Sequence, residues 1–299
     1  MKRLLLLTFI VLAGIPSAHA QFTFTSIDFP GGTLTTARGI NNHGEIVGAY
    51  RLVPPRHAFL IKEHQFIPLA PTTILGSNYS EAFKSNDRGD VVGQLFGGDG
   101  FFHGFLLRKK GALATLDFPG ASDTYAYGIN ESGTVVGDWD LLDANGNVLA
   151  FHGFTWKDGT FTEVNFPGSG DTAVLGINAR DDLVGVWDSG VTSLIGHGFV
   201  CPRGRQCFSF DVPVAGATVT QADDINAHGE IVGVYLDANG VAHAFLVAGA
   251  NFTPFDFSGA TNTLAWGINS AGQIVGVYLA ADGSRHGFLA QAAKKGKPQ

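Results

Sequence analysis

Gly39-Ile40-Asn41-Asn42-His43-Gly44-Glu45-Ile46-Val47-Gly48 reads as the end of one strand, a tight turn and the start of another. Asn can accept hydrogen bonds from its own turn and Gly can take positive φ, so Asn-x-x-Gly between apolar, β-branched runs is a hairpin signal with a mechanism. The stretch returns as Gly128 to Gly137 and as Gly267 to Gly276, and in degraded form three more times. Its Asn stands at 41, 86, 130, 178, 226 and 269, in steps of 45, 44, 48, 48 and 43. Downstream of each Asn comes His-Ala-Phe or His-Gly-Phe, at His57, His103, His152, His197, His243 and His286. A version of Asp-Phe-Pro-Gly follows, clearest at 117–120.

Period-two alternation divides each unit into four short strands, expected in the third unit at 125–129, 134–139, 151–156 and 160–166. Four antiparallel strands per roughly 45 residues is the pattern of one propeller blade, whereas a helical repeat would show a 3.6-residue period. The expected fold is all-β, a six-bladed β-propeller of four-stranded blades. The last unit stops after its third strand, near Leu289, and an orphan fourth strand at 22–29 precedes the first unit. Closure of the ring by that N-terminal strand, completing the last blade, would protect the edges that an open array leaves bare.

These motifs resemble the HAF-repeat family, named for the His-Ala-Phe seen at 57–59 and 243–245, with Gly-Ile-Asn-x-x-Gly-x-Ile-Val-Gly as its other half. The resemblance covers residues 22–291 and implies an extracellular bacterial repeat protein without an established activity. The second unit departs most, with Lys84-Ser85-Asn86 for Gly-Ile-Asn and no Asp-Phe-Pro, and the fourth has Asp181 where the turn Gly should be.

Composition agrees with strands and turns. Of 299 residues, 45% are hydrophobic and only 15% charged, with 41 Gly and 24 Phe; such a chain is neither disordered nor rich in long helices. Lys2 and Arg3, an apolar run from Leu4 and Ala18-His19-Ala20 read as a signal peptide over 1–20, so the mature chain should begin at Gln21 and be secreted or periplasmic. The propeller is expected over 21–291 and a basic disordered tail over 292–299. The formal net charge of -7 disfavours nucleic acid, and no apolar run is long enough to span a bilayer. Cys201 and Cys207, an even pair in an exported chain, are expected to form a disulfide across a short loop. No metal or cofactor site is expected, and the expected assembly is a monomer.

Residues repeated in every unit occupy six equivalent places around a ring, which suits packing better than a single active site. The positions that break the repeat are the candidates for function. On the first strand, which lines a propeller's channel, the residue before the Gly column reads Arg38, Phe83, Tyr127, Leu175, Asp223 and Trp266, and the Gly column itself becomes Lys84 and Asp224 in two units. Glu81 adds a charge nearby. Arg38, Glu81, Lys84, Tyr127, Asp223, Asp224 and Trp266 are therefore the candidate ligand-binding residues, with mutual ion pairing as the structural alternative. Connections from fourth to first and from second to third strand emerge on one face and vary most, the longest running from Asp138 to Ala150. Its Asp138, Asp140, Asp143, Asn145 and Asn147 could offer oxygens to calcium, but the spacing fits a plain turn better. No nucleophile elbow, zinc-binding His pair or phosphate loop is present. The expected function is a non-catalytic exported binding module for a glycan, a peptide or a surface protein; the alternative is a hydrolase or lyase using Glu81, Asp223 or Asp224 as acid or base and Arg38 or Lys84 to stabilise an anion.

Overall fold

The computed structural model describes residues 22–69, 76–190 and 196–292. The expected signal peptide and the basic tail beyond Ala292 lie outside these residues. Every described strand belongs to one of six four-stranded antiparallel sheets. Five blades take their four strands in chain order from a single repeat. Their first strands are Leu34–Ile40, Tyr79–Ser85, Asp123–Ile129, Asp171–Ile177 and Val219–Ile225. Blade six joins Asn262–Ile268, Ile274–Leu279 and Arg285–Ala292 to Phe22–Ile27 from the other end of the chain. Phe22 lies opposite Ala292 and Ile27 opposite Gly287. The ring closes as the split sixth repeat requires, and the six first strands contact one another in an unbroken circle around the axis.

The repeat columns explain the packing between blades. One Phe per unit, Phe59, Phe105, Phe154, Phe199, Phe245 and Phe288, is fully buried, each contributing about 2–3 kcal/mol of transfer free energy. Beside it sits the Gly that ends Ile-Val-Gly or its equivalent. A Cβ on Gly137 would stand 1.8 Å from the Tyr125 carbonyl oxygen and 2.9 Å from the Phe154 ring, so any larger residue would push the sheet apart.

The repeated His is structural in the same way. In blade four, the His197 ring stacks on Trp187 and its Nδ1 lies 2.8 Å from Asp211 Oδ1. The Phe of the Asp-Phe-Pro motif or its variant then stacks on the next blade's aromatic, as Phe118 does on Trp139 and Phe257 of Asp256-Phe257-Ser258 on Tyr278. These sandwiches tie one blade's exit to the following blade.

Sequence reading placed the Asn of each unit as a turn cap, and the structure adds a second role. Each Oδ1 accepts backbone N–H groups of its own turn, while each Nδ2 donates to the backbone carbonyl of the next Asn around the ring: Asn41 to Asn86, then Asn130, Asn178, Asn226, Asn269 and back to Asn41. Six side chains thus form a closed circle of hydrogen bonds at one end of the channel, the last link spanning the chain's two ends.

Two local expectations are corrected. In blade three the second and third strands run over Val135–Leu142 and Val148–Lys157, so the expected 138–150 loop is mostly an extended hairpin. Its tip is held by Asp143 Oδ1, which accepts the Asn145 and Asn147 N–H groups at 2.8 and 2.9 Å; strand pairing continues past the repeat because the apolar run Val148-Leu149-Ala150 supplies partners for Leu141 and Leu142. The exceptional Asp181 takes the turn's left-handed conformation at φ 64°. Its carboxylate accepts from Asn130 Nδ2 at 2.6 Å and pairs with Arg203 at 3.1 Å, contacts that offset the strain of a Cβ there. Asp181 is accounted for by the fold. Cys201 and Cys207 are joined, clipping the third-to-fourth-strand loop of blade four.

Candidate functional site

A backbone irregularity shared by all six blades builds the site. The pairing of first with second strand slips by one residue between Ala37 and Gly39, Ala82 and Lys84, Ala126 and Gly128, Val174 and Gly176, Ala222 and Asp224, and Ala265 and Gly267. A bulge leaves one residue outside the ladder and re-aims its side chain. The residues left out are Arg38, Phe83, Tyr127, Leu175, Asp223 and Trp266, the variable column of the sequence. All six line one cavity of about 380 Å³, with Gln94, Asp138, Ala173, Val186 and Gln221 beside them. The cavity lies toward the start of the first strands and so opens on the face carrying the variable connections.

Sequence-derived candidates fall into two groups. Arg38, Tyr127, Asp223 and Trp266 line the cavity together. The Arg38 guanidinium sits 3.7 Å above the Trp266 ring centre and 5.2 Å from that of Phe83, and Phe83 packs against Tyr127 at 5.1 Å, so a continuous arc of π surface and guanidinium runs from blade six to blade three. Glu81 is fully buried behind this arc. It accepts from Arg38 Nε at 2.7 Å, from Arg56 at 3.5 Å and from the Tyr79 hydroxyl at 3.2 Å. Burial alone would raise its carboxyl, but the two guanidinium groups and the hydroxyl outweigh that and hold it below the usual carboxylate range. Glu81 is thus a committed counter-ion that orients Arg38.

Lys84 and Asp224 form the second group. Lys84 Nζ donates to Asp224 Oδ2, which also accepts the Ile268 N–H at 2.8 Å. Their blades, two and five, stand opposite each other, so this ion pair crosses the channel. It separates the bulge-lined cavity from a small one of about 60 Å³ on the Asn side, which Lys84 lines with the Asn circle. The two residues that replace Gly in the repeat satisfy one another across the channel, and neither lines the larger cavity.

The electrostatics of the cavity are dominated by two carboxyls. Burial pushes Asp223 up to about 8, against the pull of the Gln221 amide and Arg38, and with a further push from Asp224. Asp138 is raised as well, by burial and by Asp140, although hydrogen bonding from Tyr127 lowers it. Sequence reading had seen Asp138 only as a possible loop ligand. Its column, the residue after the close-packed Gly, reads Ala49, Gln94, Asp138, Val186, Val234 and Val277, and that variability was the available signal.

Two surface features frame this site. Leu52, Val53, Phe96, Phe101, Leu141, Val148 and Leu149, on the second-to-third connections of blades one to three, are exposed on the same face. A wider cleft of about 510 Å³ lies between blades one and two on the other face, where Lys62 pairs with Glu45 at 2.8 Å. Among the described residues no helix is long and apolar enough to cross a membrane.

No protein-family model matches the chain, and no curated protein does. Solved structures do. A gluconolactonase from Xanthomonas campestris is 10% identical with a TM-score of 0.52, covering 93% of this chain and 94% of that one. The β-propeller domain of the Trilobed protease from Pyrococcus furiosus, described as having an open velcro topology, is 9% identical with a TM-score of 0.50 over 88% of this chain and 95% of that one. A fucose-binding lectin from Aleuria aurantia follows at 13% identity and a TM-score of 0.49, covering 89% and 97%. This chain is a β-propeller, and at these identities the likeness concerns the fold alone. It is a six-bladed one whose velcro strand closes the ring.

Proposed function

We propose that this chain is an exported, non-catalytic binding module that holds a ligand in the bulge-lined cavity on its loop-rich face. One observation carries the reading: the six side chains freed from the ladder, different in every blade, converge on one cavity, while the rest of the repeat is spent on packing. Bulges placed beside a site to aim side chains are a recurrent device, and a rigid scaffold with variable connections is a common binding architecture. The exposed apolar residues at the rim add contact area for a larger partner such as a peptide, glycan or surface protein.

The acid and base candidates of the catalytic alternative are largely committed elsewhere, Glu81 to two arginines and Asp224 to Lys84 and a backbone N–H. Fluorescence of Trp266 in the cavity gives the test. Glycan, peptide and cell-envelope fractions should change the emission of the wild type and not of Tyr127→Ala or Arg38→Ala proteins with unchanged melting curves. Turnover of ester or lactone substrates, lost in Asp223→Asn, would instead establish the hydrolase reading.

A further inference from the structure

Among the described residues the cavity holds one cation, Arg38, and it is already paired. Arg38 donates Nε to Glu81 and stacks on Trp266. Its two acids are paired with no cation. Asp223 accepts from Gln221 Nε2 through Oδ1 at 2.8 Å, while Oδ2 is sealed from solvent with no donor. Asp138, 7% exposed, likewise has its Oδ1 buried and unpartnered. A buried acceptor without a donor costs about 1–3 kcal/mol, more for a charged group, and the two carboxyls that carry these oxygens belong to residues lining one cavity in which no cation pairs with either. An ammonium brings three donors and a guanidinium five, with no acceptor, whereas a hydroxyl brings one donor with its own lone pairs. The aromatic walls favour the same choice, because ring faces attract cations.

We propose that the ligand carries a positively charged nitrogen, an ammonium or guanidinium, seated by the Asp223 and Asp138 carboxyls and the Tyr127 and Trp266 rings. This rests on the reading of the bulge ring as a binding site and narrows it to one chemistry. The cavity's roughly 380 Å³ accommodates a small amine or the head of a Lys or Arg side chain.

The groups facing Asp223 are Arg38 from blade one and Asp224 on its own strand; Tyr127, Tyr125 and Asp140 surround Asp138. With Asp223 pushed up to about 8, its carboxyl holds a proton at neutral pH. A bound ammonium converts it to the carboxylate, and the proton leaves to solvent: carboxylic acid plus ammonium gives an ion pair plus one proton. Linkage then requires affinity to rise about tenfold per pH unit up to that value.

The experiment is calorimetric titration of the disulfide-intact protein with tyramine, its neutral analogue tyrosol and its anionic analogue 4-hydroxyphenylacetate, with agmatine, and with acetylated, amidated Ala-Lys-Ala and Ala-Arg-Ala. Buffers of differing ionisation enthalpy count the protons released. Expected are binding of tyramine or agmatine with about one proton released, affinity falling tenfold or more from pH 8 to pH 6.5, and a further tenfold loss in Asp223→Asn or Asp138→Asn. Both variants remove an unsatisfied oxygen and should fold, which melting curves check. Tighter binding of the tripeptides than of free amines would place the charge on a protein partner. Tyrosol or 4-hydroxyphenylacetate binding as well as tyramine, or amine binding indifferent to both variants, overturns the proposal and leaves the binding reading standing. Failure of every probe on the folded protein, together with silence in the glycan, peptide and envelope screen, overturns both.

Discussion

The two ends of the channel are built from the same six strands, about three residues apart, and follow opposite rules. At one end Asn41, Asn86, Asn130, Asn178, Asn226 and Asn269 are identical, and each closes a turn and a link to the next blade. At the other the bulged residues share no chemistry: a guanidinium, two phenyl-type rings, a leucine, a carboxyl and an indole. The contrast follows from hydrogen bonding. A side chain that must satisfy two or three backbone groups of fixed geometry has one solution, while a residue outside the ladder owes the backbone nothing and is free to vary. The six-fold scaffold therefore concentrates its freedom in a ring of side chains around one cavity.

The Lys84 and Asp224 pair marks the border between these ends, and breaking it should have the largest effect. Lys84→Met leaves a buried carboxylate uncompensated and should cost about 4 kcal/mol. Lys84→Gly combined with Asp224→Gly restores the repeat and should recover most of that. A double-mutant cycle by denaturant unfolding checks both; additive losses would show that the two do not form a unit. Next comes Asn226→Ala, which removes the donor to Asn269 and the acceptor for two turn N–H groups and should cost about 3 kcal/mol. On the neighbouring first strand, Leu175→Ala at the bulge should cost less than about 1 kcal/mol, since the cavity already lies in front of it. Equal losses at the two columns would refute the distinction drawn above.

A further effect, smaller than those of Lys84→Met and Asn226→Ala, concerns the cavity end's acidity. Asp140 is pushed up to about 7 by burial and by Asp123 and Asp171, and Asp140 and Asp123 lie directly opposite in the ladder. The native state therefore holds a proton that the unfolded chain releases near pH 4, so stability is greatest below that pH and falls as pH rises toward 7. Asp140→Asn should abolish this component, making the variant about 2 kcal/mol more stable than wild type at pH 8 and near-equal at pH 4. Melting temperatures across that range would show it, and parallel curves for both proteins would exclude it.

Most of the architecture was legible because the repeat states its requirements six times. Gly137 and its equivalents, the buried Phe column and the split sixth unit each fix one geometric fact, and together they define closed blades. The bulges were not legible, since a one-residue slip leaves no mark on composition or alternation when Ala and Gly flank it. Arg38, Tyr127, Asp223 and Trp266 were nonetheless found together, through their departure from the repeat. Lys84 and Asp224 share that departure for another reason: residues 140 positions apart in sequence meet across the axis, a contact no local pattern announces. Asp138 was missed as a cavity residue because its column was read as part of a loop.

The sealing of blade six by Phe22–Ile27 changes how the molecule comes apart. A linear stack of repeats frays from its terminal units, each contributing its own partial stability. In a ring every unit has two neighbours, and the terminal strands are bound into one blade, so no unit is positioned to melt first. Loss of any one opens the circle for all, which makes the six repeats a single cooperative unit rather than six.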